Sequence, residues 1–226
     1  MIIWNDIKKW LHKILNVYLR RDLKVASYYL YLEAGGDSLR LDYPLNKNSV
    51  IIDAGGYIGD FAADMSHKFG CRIDVFEPVA EYAEKIRERF RDNADIKVIQ
   101  AGLGATEKKA TINIQGLGSS IFSGAAQGLT IEEIHILSAI EYFKSHPYKD
   151  IDLMKINIEG GEYELLASLL AQPEIVKKIH YFQIQFHDFV PDAQAMKSDI
   201  RRKLSETHKL MWDFPFIWES WELKSK

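Results

Sequence analysis

Ser49-Val50-Ile51-Ile52-Asp53-Ala54-Gly55-Gly56-Tyr57-Ile58-Gly59 decides the fold. A short continuous apolar run ends in an acid, and a glycine turn follows. A strand with no polar face belongs inside a sheet covered on both sides, as in parallel α/β folds. Residues after the turn, to about Phe69, read as a helix. The rhythm repeats. Arg72–Glu77 is a second strand ending in an acid, and 79–92 is a helix with Tyr82, Ile86 and Phe90 on one face. Ile96–Gln100, Asp152–Asn157 and Tyr181–His187 are further strands, and helices are expected at Glu162–Leu170 and 192–206. Strand–helix alternation of this kind predicts a parallel sheet with right-handed crossovers.

The remaining segments extend that frame. Lys209 to Leu223 has strand composition on both sides of Asp213–Pro215, which predicts a hairpin at the sheet edge. Trp212, Trp218 and Trp221 then read as packing residues of that edge, a sugar platform being the other reading. Residues 101–129 are glycine-rich, with a short strand at Ala110–Ile114. Thr130 and Glu133 have capping-box spacing, which predicts a helix to about Phe143.

The chain has 226 residues, enough for one domain with a small appendage. Its 47% hydrophobic and 27% charged residues are those of a globular protein and exclude a disordered one. A net charge of −3 excludes the strongly basic footprint of a general nucleic-acid binder, so no nucleic-acid partner is expected. Cys71 is the one cysteine, so neither an internal disulfide nor a cysteine metal cluster can form, and a cytoplasmic location is expected. No stretch is long and apolar enough to cross a bilayer, and MIIWNDIKKW does not read as a secretory signal. Ile3, Ile7, Trp10, Leu11, Ile14 and Tyr18 form an apolar stripe within a helix expected over 2–32, which Gly35-Gly36 ends. Residues 1–36 are therefore expected to be an N-terminal helical extension and 37–226 the main domain. The stripe fits a helix packed on that domain; a dimer contact and a peripheral membrane contact are the other readings.

Open α/β sheets bind ligands at the carboxyl ends of their strands, where the glycine turn lies. The dinucleotide fingerprint G-x-G-x-x-G fails, because Ala54 occupies its first glycine position. An acid just before the turn also suits a pyrophosphate poorly. S-adenosylmethionine fits better: it has a carboxylate for backbone N–H groups, positive centres for an acid, and a ribose. Glu77 ends the adjacent strand, and an ionised carboxylate can accept both ribose hydroxyls. Asp53 and Glu77 are thus expected side by side on one rim, gripping the cation and its sugar.

Three blocks, Val50–Phe61, Val75–Pro78 and Asp152–Glu162, resemble the signature blocks of the FkbM family of S-adenosylmethionine-dependent methyltransferases, mostly O-methyltransferases of sugars, glycans and natural products. The resemblance covers about residues 38–190. It implies a Rossmann-like class I methyltransferase with a seven-stranded, mostly parallel sheet whose last strand is antiparallel. It implies S-adenosyl-L-methionine as cofactor and a small-molecule or glycan acceptor. It carries cofactor contacts onto Asp53, Gly55, Tyr57, Gly59 and Glu77, and places Ala101 and Gly102 near the adenine, Asn157 at the cofactor, and Ser119 or Ser120 near the mouth. Tyr57 stands where the family usually has asparagine. Asn157 replaces the usual aspartate, which removes a charge where some related enzymes hold a divalent ion; no required metal is expected. Gln185 stands where glutamate is expected.

Methyl transfer to an oxygen needs alignment and a route for the proton. His187, at a strand end on the ligand rim, is the first candidate for base or acceptor-positioning residue, and Asp188 the second. Lys155 and Glu159 are expected to form a structural or acceptor-orienting charge pair. Glu162 is expected to bind the acceptor or cap its helix. The competing readings are an NAD(P)-binding oxidoreductase, against which Ala54 speaks, and a non-catalytic binding module, to which Asn157 and Gln185 point.

Overall fold

The computed structural model describes residues 22–114, 130–146 and 148–225. The stripe up to Tyr18 and Ser119 and Ser120 lie outside the described residues. Helix α1 (Leu23–Glu33) opens the described chain, with the Asp22 side chain accepting from the Val25 amide as its cap. A short helix α2 (Gly36–Leu39) follows.

The main sheet is built from β1 (Val50–Ala54), β2 (Arg72–Phe76), β3 (Ile96–Ile99), β7 (Ile151–Ile156), β8 (Ile179–Ile184), β9 (His208–Phe214) and β10 (Trp218–Leu223). Its seven strands lie in the order β3-β2-β1-β7-β8-β10-β9. The pairs from β3 to β8 are parallel, whereas β10 runs antiparallel to both β8 and β9. The last strand in the chain is thus the reversed one, as expected for the methyltransferase fold. Strand order turns back between β1 and β7, and the crevice at their carboxyl ends is the topological switch point where such sheets take ligands.

Alternate side chains of the buried strands feed two cores. Ile51, Ile73, Val75 and Leu153 pack with Ala62, Met65 and Ile86 from α3 (Asp60–Phe69) and α4 (Ala80–Arg89). Ile52, Met154, Ile156 and Phe182 pack on the other face with Leu165 and Ile200 from α6 (Glu162–Leu170) and α8 (Ala193–Leu204). Each of the larger side chains, the isoleucines, leucines, Val75, the methionines and Phe182, contributes about 1.5–3 kcal/mol on burial. A polar row interrupts the first face near the strand ends. Asp53 lies opposite Lys155, Lys155 opposite Gln183, and Gln183 opposite Ser220. Arg40 covers this row: its Nε donates to Gln183 Oε1 at 3.1 Å, and its guanidinium lies 3.9 Å from the Trp218 ring centroid.

A second sheet has three strands in the order β4-β6-β5, from β4 (Gly102–Gly104), β5 (Lys108–Ile114) and β6 (Thr130–Ser138). Residues 130–138 are therefore a strand and not the start of the expected helix. Ile134 and Ile136 are buried and Glu133 and His135 exposed, a period of two that overrides the capping-box spacing. The helix, α5 (Ala139–Ser145), begins one strand later, and Ser138 caps it through Oγ at the Glu141 amide. The remaining short helix is α7 (Pro173–Val176).

Candidate functional site

The glycine turn joins β1 to α3. Gly55 has φ +89°, and a Cβ there would lie 1.9 Å from the Asn157 carbonyl oxygen. Only glycine lets β1 and β7 end so close together. Gly59, at φ +83°, starts α3 from a left-handed conformation, with the Phe90 and Ile86 side chains close to where its Cβ would stand.

The turn's N–H groups are turned inward. Gly55 and Gly56 both donate to the Phe76 carbonyl, Tyr57 donates to Glu77 Oε2 at 2.7 Å, and Gly59 donates to the Gly56 carbonyl. A pyrophosphate-binding turn needs such groups aimed at the ligand. Here those of Gly55, Gly56, Tyr57 and Gly59 are occupied, which is a second physical argument, beside Ala54, against a dinucleotide.

Glu77 is 5% exposed. Its two oxygens are held by the Tyr57 and Val79 amides. Burial raises its carboxyl to about 7 against the pull of those two amides and of Lys155. Each oxygen keeps a further lone pair, so a diol can still be accepted.

Asp53 sits behind the turn. It is fully buried, with Oδ1 2.8 Å from Lys155 Nζ. Lys155 also donates to the Gly55 carbonyl at 2.6 Å. Burial raises the Asp53 carboxyl and the lysine draws it back. The expected Lys155–Glu159 pair is thus corrected: Lys155 belongs to Asp53, its lateral neighbour across two parallel strands. Glu159 reaches His187 instead, with Oε2 3.3 Å from Nε2. Glu162, fully buried, accepts from the Gly160 amide, the His187 amide and, at 3.1 Å, His187 Nδ1. Asp188 points away to the surface, where it pairs with Lys24 of α1 at 2.6 Å.

These elements border an open cleft at the carboxyl ends of β1, β2 and β7. Gly55, Tyr57, Glu77, Gly102, Asn157 and Glu159 line it. Asp53, Gly59, Ala101, Lys155, His187 and Asp188 do not border it; they lie behind or beside its wall. The Tyr57 ring packs edge-on against Tyr82, 4.8 Å between centroids. The far wall, unforeseen from the sequence, comes from the second sheet through Ile112, Ile134 and Ile136. The alternating isoleucines of 130–138 were the signal for it.

Among the described residues four buried side-chain oxygens lack a hydrogen-bond partner, and two of them, Asp53 Oδ2 and Asn157 Oδ1, belong to this site, where Asn157 borders the cleft. An unmet acceptor on an acid-lined wall suits a ligand that brings N–H or O–H donors and positive charge. The residues present therefore fit S-adenosylmethionine. Among the described residues no cluster of three or more histidine, cysteine, aspartate or glutamate side chains is placed to hold a metal ion, and no helix is long and apolar enough to cross a membrane.

Comparison with known proteins agrees with this geometry. The fold resembles a Streptococcus mutans protein, SMU.1697c, described as a methyltransferase and solved with S-adenosylhomocysteine: 13% identity, TM-score 0.53, covering 85% of this chain and 97% of that one. It also resembles a Clostridium thermocellum protein described as an rRNA methylase: 9% identity, TM-score 0.54, covering 86% and 96%. At these identities the likeness shows the fold alone. No curated protein sequence matches the chain. The methyltransferase FkbM domain model matches residues 53–211, from the buried acid of β1 into β9. The chain belongs to the FkbM family of S-adenosylmethionine-dependent methyltransferases.

Proposed function

We propose that this protein methylates a hydroxyl oxygen of a sugar, nucleotide sugar, glycan or related small molecule. The observation that carries the cofactor part of the reading is Glu77: a carboxylate fixed by two backbone amides at the end of β2, beside an inward-folded glycine turn, in the lining of the cleft. When bound, S-adenosylmethionine supplies an electrophilic methyl group on a sulfonium centre. Glu77 would hold the ribose hydroxyls, Gly102 would lie on the adenine side, and Asn157 would serve the cofactor as a further polar contact. Lys155, by gripping both Asp53 and the Gly55 carbonyl, keeps the turn in place.

The charge of the cleft favours the neutral members of that acceptor class, sugars and glycans, over nucleotide sugars and over a nucleic acid. Glu77, Glu159 and Glu164 line it against one lysine, Lys108, itself 3.2 Å from Glu164. A polyanion would meet like charge there. A single buried thiol, Cys71, is at ease in a reducing cytoplasm.

Calorimetry with S-adenosylmethionine, S-adenosylhomocysteine and NAD⁺ tests the cofactor: binding of the first two and none of NAD⁺ is expected. A folded protein that binds neither adenosyl compound refutes the reading. Transfer of labelled methyl to a panel of sugars and nucleotide sugars tests the acceptor.

A further inference from the structure

His187 is the obvious base at the strand end, but its surroundings deny it that role. Nδ1 lies 3.1 Å from Glu162 Oε1 and Nε2 lies 3.3 Å from Glu159 Oε2. An ionised carboxylate only accepts hydrogen bonds, so the ring must carry a proton on each nitrogen to satisfy both. A ring protonated twice has no lone pair left for a substrate proton. Side chain and backbone are pinned together: Glu162 also accepts the His187 amide, and Tyr163 Oη donates to the His187 carbonyl at 2.7 Å.

The residue at the other end of this arrangement, Glu159, borders the cleft, and its side chain is 22% exposed. Its backbone has φ +51°, a left-handed conformation unusual for a residue with a side chain. Such strain persists only where neighbouring contacts over-determine it, and Glu162, which holds the Gly160 amide, supplies one such contact.

We propose that Glu159 is the catalytic residue that takes the proton of the acceptor hydroxyl, and that His187 is a positioning residue, a fixed cation held between Glu159 and Glu162. The proposal deepens the methyltransferase reading and rests on it. As the acceptor oxygen bonds to the methyl carbon, its proton passes to a Glu159 oxygen and the O–H pair stays on the oxygen. The carbon–sulfur bond breaks with its pair going to sulfur. Sulfonium, hydroxyl and carboxylate give methyl ether, thioether and carboxylic acid, and charge balances. The imidazolium keeps Glu159 oriented before transfer. Among the described residues, Glu159 and Glu162 face the ring, Tyr163 binds its backbone, and Asp188 is turned to Lys24. The Phe189 ring packs 5.3 Å away, centroid to centroid. Burial alone would lower the His187 pKa, but the bonds to Glu159 and Glu162 outweigh it and raise it to about 9.

The test is ring ¹⁵N NMR of the full chain, from pH 6 to 10, with and without S-adenosylhomocysteine, His187 being assigned by its loss in His187→Gln. Both ring nitrogens should be protonated at pH 7.5, and Glu159→Gln should lower the midpoint by about one unit or more. A neutral His187 ring at pH 7.5 overturns the proposal, since the ring could then act as base. Glu159→Gln should bind S-adenosylhomocysteine within about threefold of the parent. On the hydroxyl that accepts labelled methyl, it should lose roughly 10²–10⁴-fold in kcat with little change in KM, as expected for a lost general base. An unchanged kcat also overturns it. If S-adenosylhomocysteine fails to bind the parent protein, the methyltransferase reading falls; if it binds and the ring is neutral, only this proposal falls.

Discussion

Glu77 makes cofactor binding depend on pH in a calculable way. Its carboxyl stands at about 7 in the unliganded protein, where burial opposes ionisation. Hydroxyl donors from a ribose need the ionised form. With a midpoint of 7, roughly 90% of the protein is ionised at pH 8 and roughly 10% at pH 6, so affinity should fall about tenfold, or about 1.4 kcal/mol. The bound diol favours the anion, so binding near pH 7 should release up to about half a proton from this group. Calorimetry with S-adenosylhomocysteine in buffers of different ionisation heat reads both quantities. Glu77→Gln should weaken binding by about 10–100-fold at pH 8, as for a lost charged hydrogen bond, and should flatten the profile. Affinity that is flat or rises toward pH 6, or a Glu77→Gln profile with the parent slope, would refute the reasoning. In the unliganded protein the sign is opposite. A carboxyl raised on folding adds stability that is complete below its ordinary value near 4.5 and lost as pH rises through about 7.

Other perturbations probe the supports of the site. Gly55→Ala forces a Cβ toward a backbone carbonyl at a left-handed φ, and should abolish S-adenosylhomocysteine binding and lower the melting temperature. Lys155→Met leaves the Asp53 charge buried without its cation and should cost about 3–5 kcal/mol in urea unfolding. Asp53→Asn combined with Lys155→Met should regain part of that loss, and full additivity would contradict the pairing. His187, raised on folding, adds stability that is complete below its ordinary value near 6.5 and lost as pH rises through about 9. The melting gap between the parent and His187→Gln should therefore narrow over that interval.

Much of the sheet was legible because buried parallel strands leave continuous apolar runs, and 50–52, 73–76 and 153–156 are of that kind. The turn was legible because close approach of β1 and β7 admits only glycine at 55. Lys155 was misassigned for a physical reason. Residues four apart past a strand end are not neighbours, whereas Asp53 and Lys155, distant in sequence, meet through parallel register. Residues 130–138 were misread because Thr130 and Glu133 satisfy a helix-start pattern locally, while Ile134 and Ile136 are claimed by the cleft wall. The clamp on His187 could not be read either, since it joins the loop after β7, the start of α6 and the end of β8.

The inward-folded glycine turn has a bearing on selectivity among metabolites. Nucleoside phosphates carry the same adenosyl group as a methyl donor, but they end in negative charge. A turn whose amides already serve the Phe76 and Gly56 carbonyls and Glu77 offers those phosphates little to hold, and the surrounding carboxylates add like charge. Poor binding of adenine nucleotides is therefore the expected consequence of how residues 55–59 spend their amides.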